Sequence, residues 1–205
     1  MSRIRKDFFK NLVFLFVAGF MASCASIPEL QIDYRLPPRS DSLRDKKVIL
    51  KIVDARKNKE ILSPGARKKL EGFSGNFSLN VAGYRGKGVT IGIFQVTDMM
   101  REVLKRRLEN LGLTVLFNKS QGVPQLLFVL KEFSLNLEGE RWVAKISYEA
   151  KLLRDGGFMA IQELNGQAER FELVGREEAD VVVGEILTDL VNRLDVARLF
   201  QNVGL

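Results

Sequence analysis

The chain has 205 residues, 46% apolar and 28% charged, which excludes global disorder and predicts one folded domain with short appendages. Histidine is absent and cysteine occurs once, at Cys24; Ser-His-Asp and Cys-His catalysis, imidazole and thiolate metal sites and internal disulfides are thereby excluded. Of the formal net charge of +7, residues 1–23 carry +3 (Arg3, Arg5, Lys6 and Lys10 against Asp7) and the rest +4. Nearly half of the basic excess thus sits in a leader, and no nucleic-acid partner, metal or cofactor is expected.

Residues 1–10 are positively charged and residues 12–21 are almost purely apolar, with the small residues Ala22 and Ser23 directly before Cys24. That order is that of a secretory signal: at ~1.5 Å rise per residue the apolar run is too short to cross a bilayer, although an uncleaved short anchor is the alternative. The tetrapeptide Met21-Ala22-Ser23-Cys24 resembles the bacterial lipobox, with Met where Leu is commonest. The resemblance implies cleavage between Ser23 and Cys24, diacylation of the Cys24 sulfur and acylation of the new amine. At ~0.8 kcal/mol per buried CH₂, several acyl chains hold a domain on a membrane, and lipidation also accounts for a lone cysteine in an exported chain. Ala25 rather than Asp follows the cysteine. By resemblance to lipoprotein sorting in Gram-negative bacteria this implies the outer membrane, with the domain facing the periplasm, over inner-membrane retention.

Residues 24–44 contain Pro28, Pro37 and Pro38 and read as a lipidated, semi-rigid tether, while 45–205 read as one α+β periplasmic domain. Within the tether Leu30, Ile32, Tyr34 and Leu36 alternate at period two; the reading adopted is a tether whose middle docks loosely, with an edge strand as the alternative. Residues 47–53 predict a central strand. The glycine-rich, basic stretch 63–92 reads as the least regular part, with a strand at 73–82 inside it. Val96, Met100, Val103, Leu104, Leu108 and Leu111 fall on one helical face, predicting a helix over 93–111 that ends at Gly112. A strand at 113–117 follows. In 125–137 the apolar phase switches from Leu126, Phe128 and Leu130 to Phe133, Leu135 and Leu137, which predicts a β-bulge near Lys131 and Glu132. Unbroken alternation from Trp142 to Leu152 predicts a strand with one buried and one wet face. Turns at 138–140 and 155–157 join it to its neighbours, completing a meander with 158–173. Residues 176–200 predict one long amphipathic helix facing inward through Ala179, Val182, Val183, Ile186, Leu187, Leu190 and Leu194. The fold class expected is therefore α+β: a largely antiparallel sheet with two amphipathic helices packed on one face.

Few groups carry chemistry. The glycines at 83, 86 and 88 lack the Walker A pattern, since Val81 and Gly88 occupy its first Gly and its Ser/Thr positions, and the segment reads as a loop. Glu138 and Glu140 lie in a turn, and Glu177, Glu178 and Asp180 at a helix start; solvent and the helix dipole keep both sets ionised, unlike a catalytic pair. Asp54 and Arg56 read as a structural ion pair, with anchorage of a ligand carboxylate or phosphate as the alternative. Arg101, Lys105, Arg106 and Arg107 line the outer face of the first helix; they read as a solvated face, or else as a surface for anionic lipid, lipopolysaccharide or a partner.

On the lipobox, the strand 47–53 running into Asp54-Ala55-Arg56, the segment 98–115 (DMMREVLKRRLENLGLTV), the strands of 126–153 and ILTDL at 186–190, the chain resembles the YajG-like family of uncharacterised Gram-negative lipoproteins. The resemblance implies an envelope lipoprotein and carries over no catalytic residue. Two functions follow as expectations. One is a non-enzymatic interaction or accessory module, anchored to the membrane through Cys24 and docking another envelope protein. The other is a lipid- or lipopolysaccharide-binding lipoprotein, similar in layout to the lipopolysaccharide-assembly lipoprotein, which an exposed apolar groove rimmed by Arg101, Arg106 and Arg107 would support.

Overall fold

In a computed structural model, residues 29–172, 177–202 and 204 are described. Two sheets share them. The smaller has strand order β1-β3-β4, from β1 (Leu30–Arg35), β3 (Phe77–Ala82) and β4 (Val89–Phe94). The larger has order β5-β2-β6-β7-β8, from β2 (Lys47–Asp54), β5 (Thr114–Leu116), β6 (Gln125–Glu138), β7 (Arg141–Arg154) and β8 (Gly157–Phe171). Two long helices, α2 (Val96–Asn110) and α3 (Glu177–Arg193), and two short ones, α1 (Pro64–Lys69) and α4 (Val196–Gln201), complete the described fold.

The α+β class holds, but two of its expected details do not. The sheets are mixed rather than largely antiparallel: β1 pairs parallel with β3, and β2 pairs parallel with both β5 and β6. Period-two alternation is the same for both pairing directions, and the connections decide between them. The helices also number more than two, and they do not cover the large sheet alone. Leu30, Ile32 and Tyr34 of β1 and Phe77 and Leu79 of β3 join one core with α2, α3 and the large sheet, and the Phe77 ring meets Phe133 of β6 edge-on at 5.5 Å.

The segment expected to dock loosely is a strand whose side chains Leu30, Ile32 and Tyr34 are fully buried. Its outer edge is closed by helix α3. Thr188 Oγ1 accepts from the Arg35 N–H at 3.3 Å and donates to Asp33 O at 3.4 Å. Asn192 Nδ2 donates to Arg35 O at 2.9 Å, and the Tyr34 hydroxyl donates to Asn192 Oδ1 at 3.0 Å. One turn before Thr188, a Cβ on Gly184 would stand 2.9 Å from Asp33 O, so only glycine lets the helix lie this close to the strand. Gly184, Thr188 and Asn192, spaced by four, thus make one stripe that holds β1.

The glycine-rich stretch 63–92 is more regular than its composition implies, containing α1 and a β3–β4 hairpin. Ser63 caps α1, its hydroxyl accepting from the Ala66 N–H at 3.3 Å, with Pro64 in the first turn. Helix α2 starts at Val96 rather than 93, because 93 and 94 finish β4. It ends where expected: Gly112 takes φ +91°, its N–H bonds Glu109 O and that of Leu113 bonds Leu108 O, a Schellman closure. The β6 register shifts between Leu130 and Glu132, the site of the predicted bulge. The final helix is not continuous. Asp195 accepts from the Arg198 N–H at 2.9 Å and starts α4 as a fresh N-cap.

Candidate interaction surface

Helix α2 does not present its four basic residues as one surface. Arg101 is bonded to Asp98, Arg106 Nε donates to Glu102 Oε1 at 2.7 Å, and Lys105 Nζ lies 4.0 Å from Glu109. These partners sit three or four residues away on the same helix, pairs that contribute only a few tenths of a kcal/mol each and largely neutralise one another. Arg107 follows Val103 by four residues and Leu104 by three, so at 100° per residue it flanks the buried face. Its Nη1 donates to Asn110 Oδ1 at 3.1 Å, while its Nε is buried without a partner. Burial pushes this guanidinium below its ordinary pKa, against the opposing pull of Tyr34 and Asp195. It lines a depression of about 290 Å³ with Leu111 and residues 192–197, away from Arg101 and Arg106. Among the described residues, that depression takes in Arg107 and neither Arg101 nor Arg106.

Asp54 closes β2 and is clamped by Arg56, whose Nε and Nη2 reach its two carboxylate oxygens at 3.0 Å each. The Arg56 backbone N–H adds a bond at 3.1 Å, and Lys59 Nζ lies 2.9 Å from Oδ1 and donates to Asp54 O at 3.0 Å. Hydrogen bonding from Arg56 above all holds the Asp54 carboxyl well below the usual carboxylate range. Arg56 is buried and its Nη1 faces Lys59 O at 3.4 Å. The fork that a ligand carboxylate would need is filled by Asp54, so the geometry is that of a brace locking the 54–59 turn.

Glu138 and Glu140 flank Gly139 in the β6–β7 turn and are exposed. They border a solvent-open depression of about 450 Å³ with Arg141, Val143, Glu169 and Phe171. The Arg141 guanidinium lies over the Phe171 ring at 4.9 Å and 3.5 Å from Glu169. Both turn carboxylates face water, and neither faces another carboxylate across a dry cleft as glycoside hydrolysis needs. Among the described residues no group of three or more metal-ligating side chains comes together, and no helix is long and apolar enough to cross a membrane.

A surface that residue-by-residue reading missed lies at the tips of the sheets. Residues 83–88 are the turn of the β3–β4 hairpin, carrying Tyr84, Arg85 and Lys87, with the Arg85 guanidinium 5.5 Å from the Tyr84 ring centre. Phe117 is exposed on the loop after β5, and Phe158, the second residue of β8, just beyond the β7–β8 turn. The glycine count at 83–88 hid the second strand of the hairpin, β4; alternating Val89, Ile91 and Ile93 was the available signal. Ser23 and Cys24, the expected cleavage and lipidation sites, lie outside the described residues, and β1 begins six positions after Cys24.

The crystal structure of protein XCC0632 from Xanthomonas campestris, of family DUF330, is similar at a TM-score of 0.55 and 16% identity, over 85% of this chain and 95% of that one. That likeness is one of fold. A minor lipoprotein from Acinetobacter baumannii aligns at a TM-score of 0.40 and 11% identity, over 75% of this chain and 92% of its own. Rare lipoprotein B from Shewanella oneidensis aligns at 0.36 and 13%, over 51% and 84%. No family model and no curated protein matches the sequence.

Proposed function

We propose that the chain is a lipid-anchored envelope protein of a Gram-negative bacterium, of the YajG-like kind, whose domain is a non-enzymatic interaction or accessory module facing the periplasm. The observation that carries this reading is the join between anchor and fold. The lipobox cysteine precedes by six residues the wholly buried Leu30, first residue of a strand built into the core. Six residues of extended chain reach about 20 Å, so acylation at Cys24 confines the whole domain to a membrane surface. Residues 1–23 are then the signal, 24–29 a short link, and the folded domain starts at Leu30 rather than at 45. Ala25 supports the outer membrane.

Absence of histidine and the embedding of Asp54 and Arg56 in a brace support a non-enzymatic role. The alternative, a lipid- or lipopolysaccharide-binding lipoprotein, would use an arginine-rimmed apolar groove; Arg101 and Arg106 are engaged by Asp98 and Glu102 instead.

The test is Cys24→Ser in the full-length chain expressed in a Gram-negative host, with membrane fractionation and metabolic palmitate labelling. The expected result is loss of label together with an unprocessed precursor or release from the membrane. Unchanged processing, labelling and fractionation would overturn the lipoprotein reading.

A further inference from the structure

The register of the strands gives the domain two distinguishable ends. Leu30, Phe77 and Phe94 stand in line at one end of the small sheet, and Arg35, Ala82 and the 83–88 turn at the other. Helix α2 leaves the Leu30 end and finishes at the Arg35 end, where Asn110 Nδ2 donates to Pro37 O at 3.3 Å and Ser40 N–H donates to Asn110 O at 3.0 Å. Helix α3 runs the same way along β1, placing Asn192 on Arg35. Strand β8 runs against α3, with Arg170 on Glu185 and Gln162 on Arg193. The β7–β8 turn therefore lies at the Arg35 end, and the acidic β6–β7 turn at the Leu30 end, the end nearer Cys24.

Charge divides along this axis. The segments at the Arg35 end (35–47, 83–88, 105–124, 151–158 and 189–202) hold fifteen Lys and Arg against six Asp and Glu. The rest of the described chain holds twelve against eighteen. The excess is local to the Arg35 end: the Leu30 end sets its own basic run, Arg56, Lys57, Lys59, Arg67, Lys68 and Lys69 against Asp54, Glu60 and Glu71, beside its acidic turn. Three aromatic rings, Tyr84, Phe117 and Phe158, are half-exposed at the basic end, on two loops and the start of β8. Beside them the outward face of the large sheet sets Leu127 and Ile161 in register with Lys51 and Lys151.

We infer that the end of the domain farthest from Cys24, around Tyr84, Phe117 and Phe158, docks an acidic protein. This rests on the anchoring proposed above. Aromatic anchors set among arginines and lysines are the composition of a protein-binding patch, and its excess charge selects a partner of opposite sign. The patch is an open sheet face and loop tips, and neither of the two depressions described lies in it, which favours a protein occupant over a lipid.

The test places the photocrosslinking residue p-benzoylphenylalanine at Phe158, or for comparison at Phe171 of the opposite end, in the full-length chain in its native envelope. Both rings are 59% exposed, so access is equal. Expected is one protein adduct from position 158 and none from 171, mapped by mass spectrometry to an acidic surface. It should fall at least tenfold with Arg154→Glu plus Lys119→Glu and return when the contacted acidic residues are changed to lysine. Adducts to lipid or lipopolysaccharide, to a second copy of this chain, equally from both positions, insensitive to charge reversal, or none at all would overturn the docking surface. Fractionation of Cys24→Ser reads the anchoring separately. A chain still membrane-bound without that thiol overturns the anchoring, whereas failure of the adduct in a chain attached through Cys24 overturns the docking surface alone.

Discussion

Strands β1 and β8 both lie at the edge of a sheet, and they solve the problem of an open edge in opposite ways. The six-residue β1 turns Leu30, Ile32 and Tyr34 into the core and has its outer backbone groups taken by Thr188 and Asn192. The fifteen-residue β8 pairs only with β7 among the described residues; it buries Ala160 and Leu164 and leaves Phe158, Met159, Ile161 and Phe171 exposed. Its edge carries the charges of Glu163, Glu169 and Arg170, while α3 meets the strand through side chains, Glu185 pairing Arg170 and Arg193 O accepting from Gln162. The short strand is thus the more firmly held. What lies over an edge, and not the number of ladder bonds beneath it, sets how tightly it is bound.

The contrast breaks most sharply at Gly184. Glycine inside a helix costs about 1 kcal/mol relative to alanine, so its presence there answers to the strand it touches. Gly184→Val should force β1 away and remove about 3 kcal/mol or more, a fall of roughly 10 °C in the thermal midpoint; an unchanged midpoint would mean that β1 rests on some other support. The matched pair Ile32→Ala and Ile161→Ala sharpens the same point, since one side chain is wholly buried and the other 44% exposed. Urea unfolding should show a loss of about 3–4 kcal/mol for the first and under about 1 kcal/mol for the second. Equal losses would erase the distinction between the edges.

Away from both edges, Asp54→Asn strands the buried Arg56 guanidinium and should remove about 2–3 kcal/mol at neutral pH. Because folding depresses the Asp54 pKa, its contribution is present above the ordinary aspartate value of about 3.9 and is lost as pH falls below it. Urea midpoints at neutral and acid pH should therefore converge between wild type and variant as the solution is acidified. The smallest effect is expected for Arg106→Glu, which exchanges one exposed helix pair for a repulsion with Glu102. Its thermal midpoint should move by no more than the equivalent of about 0.5 kcal/mol.

The sequence was most legible where a single element sets its own pattern. The β6 bulge followed from the phase change between Leu130 and Phe133, β7 from its unbroken alternation, and the end of α2 from Gly112. Pairing direction was not legible, because β2 carries the same apolar face whether its neighbours run with it or against it. The break between α3 and α4 was hidden by apolar spacing that continues through Leu190, Leu194 and Val196, although Asp195 is a ready N-cap. Helix α1 was masked by nearby glycines despite its Ser63-Pro64 start. Arg107 was grouped with Arg101, Lys105 and Arg106 by charge, whereas its angular position puts it beside Val103 and Leu104. The surface at the sheet tips was least legible of all. It assembles from loops far apart in sequence, which only the register of both sheets brings to one end.

The stripe Gly184-Thr188-Asn192 also orders events in time. The Tyr34–Asn192 bond spans 158 residues, and β1 closes against α3 near the far end of the chain. A chain that emerges N-terminus first has its earliest strand in hand long before the helix that completes it exists. Until α3 arrives, the outer edge of β1 stands open, and so long-range a closure is slow. Under the anchoring proposed above, export in the unfolded state gains from that delay: β1 cannot be locked into the finished fold until nearly the whole polypeptide is across.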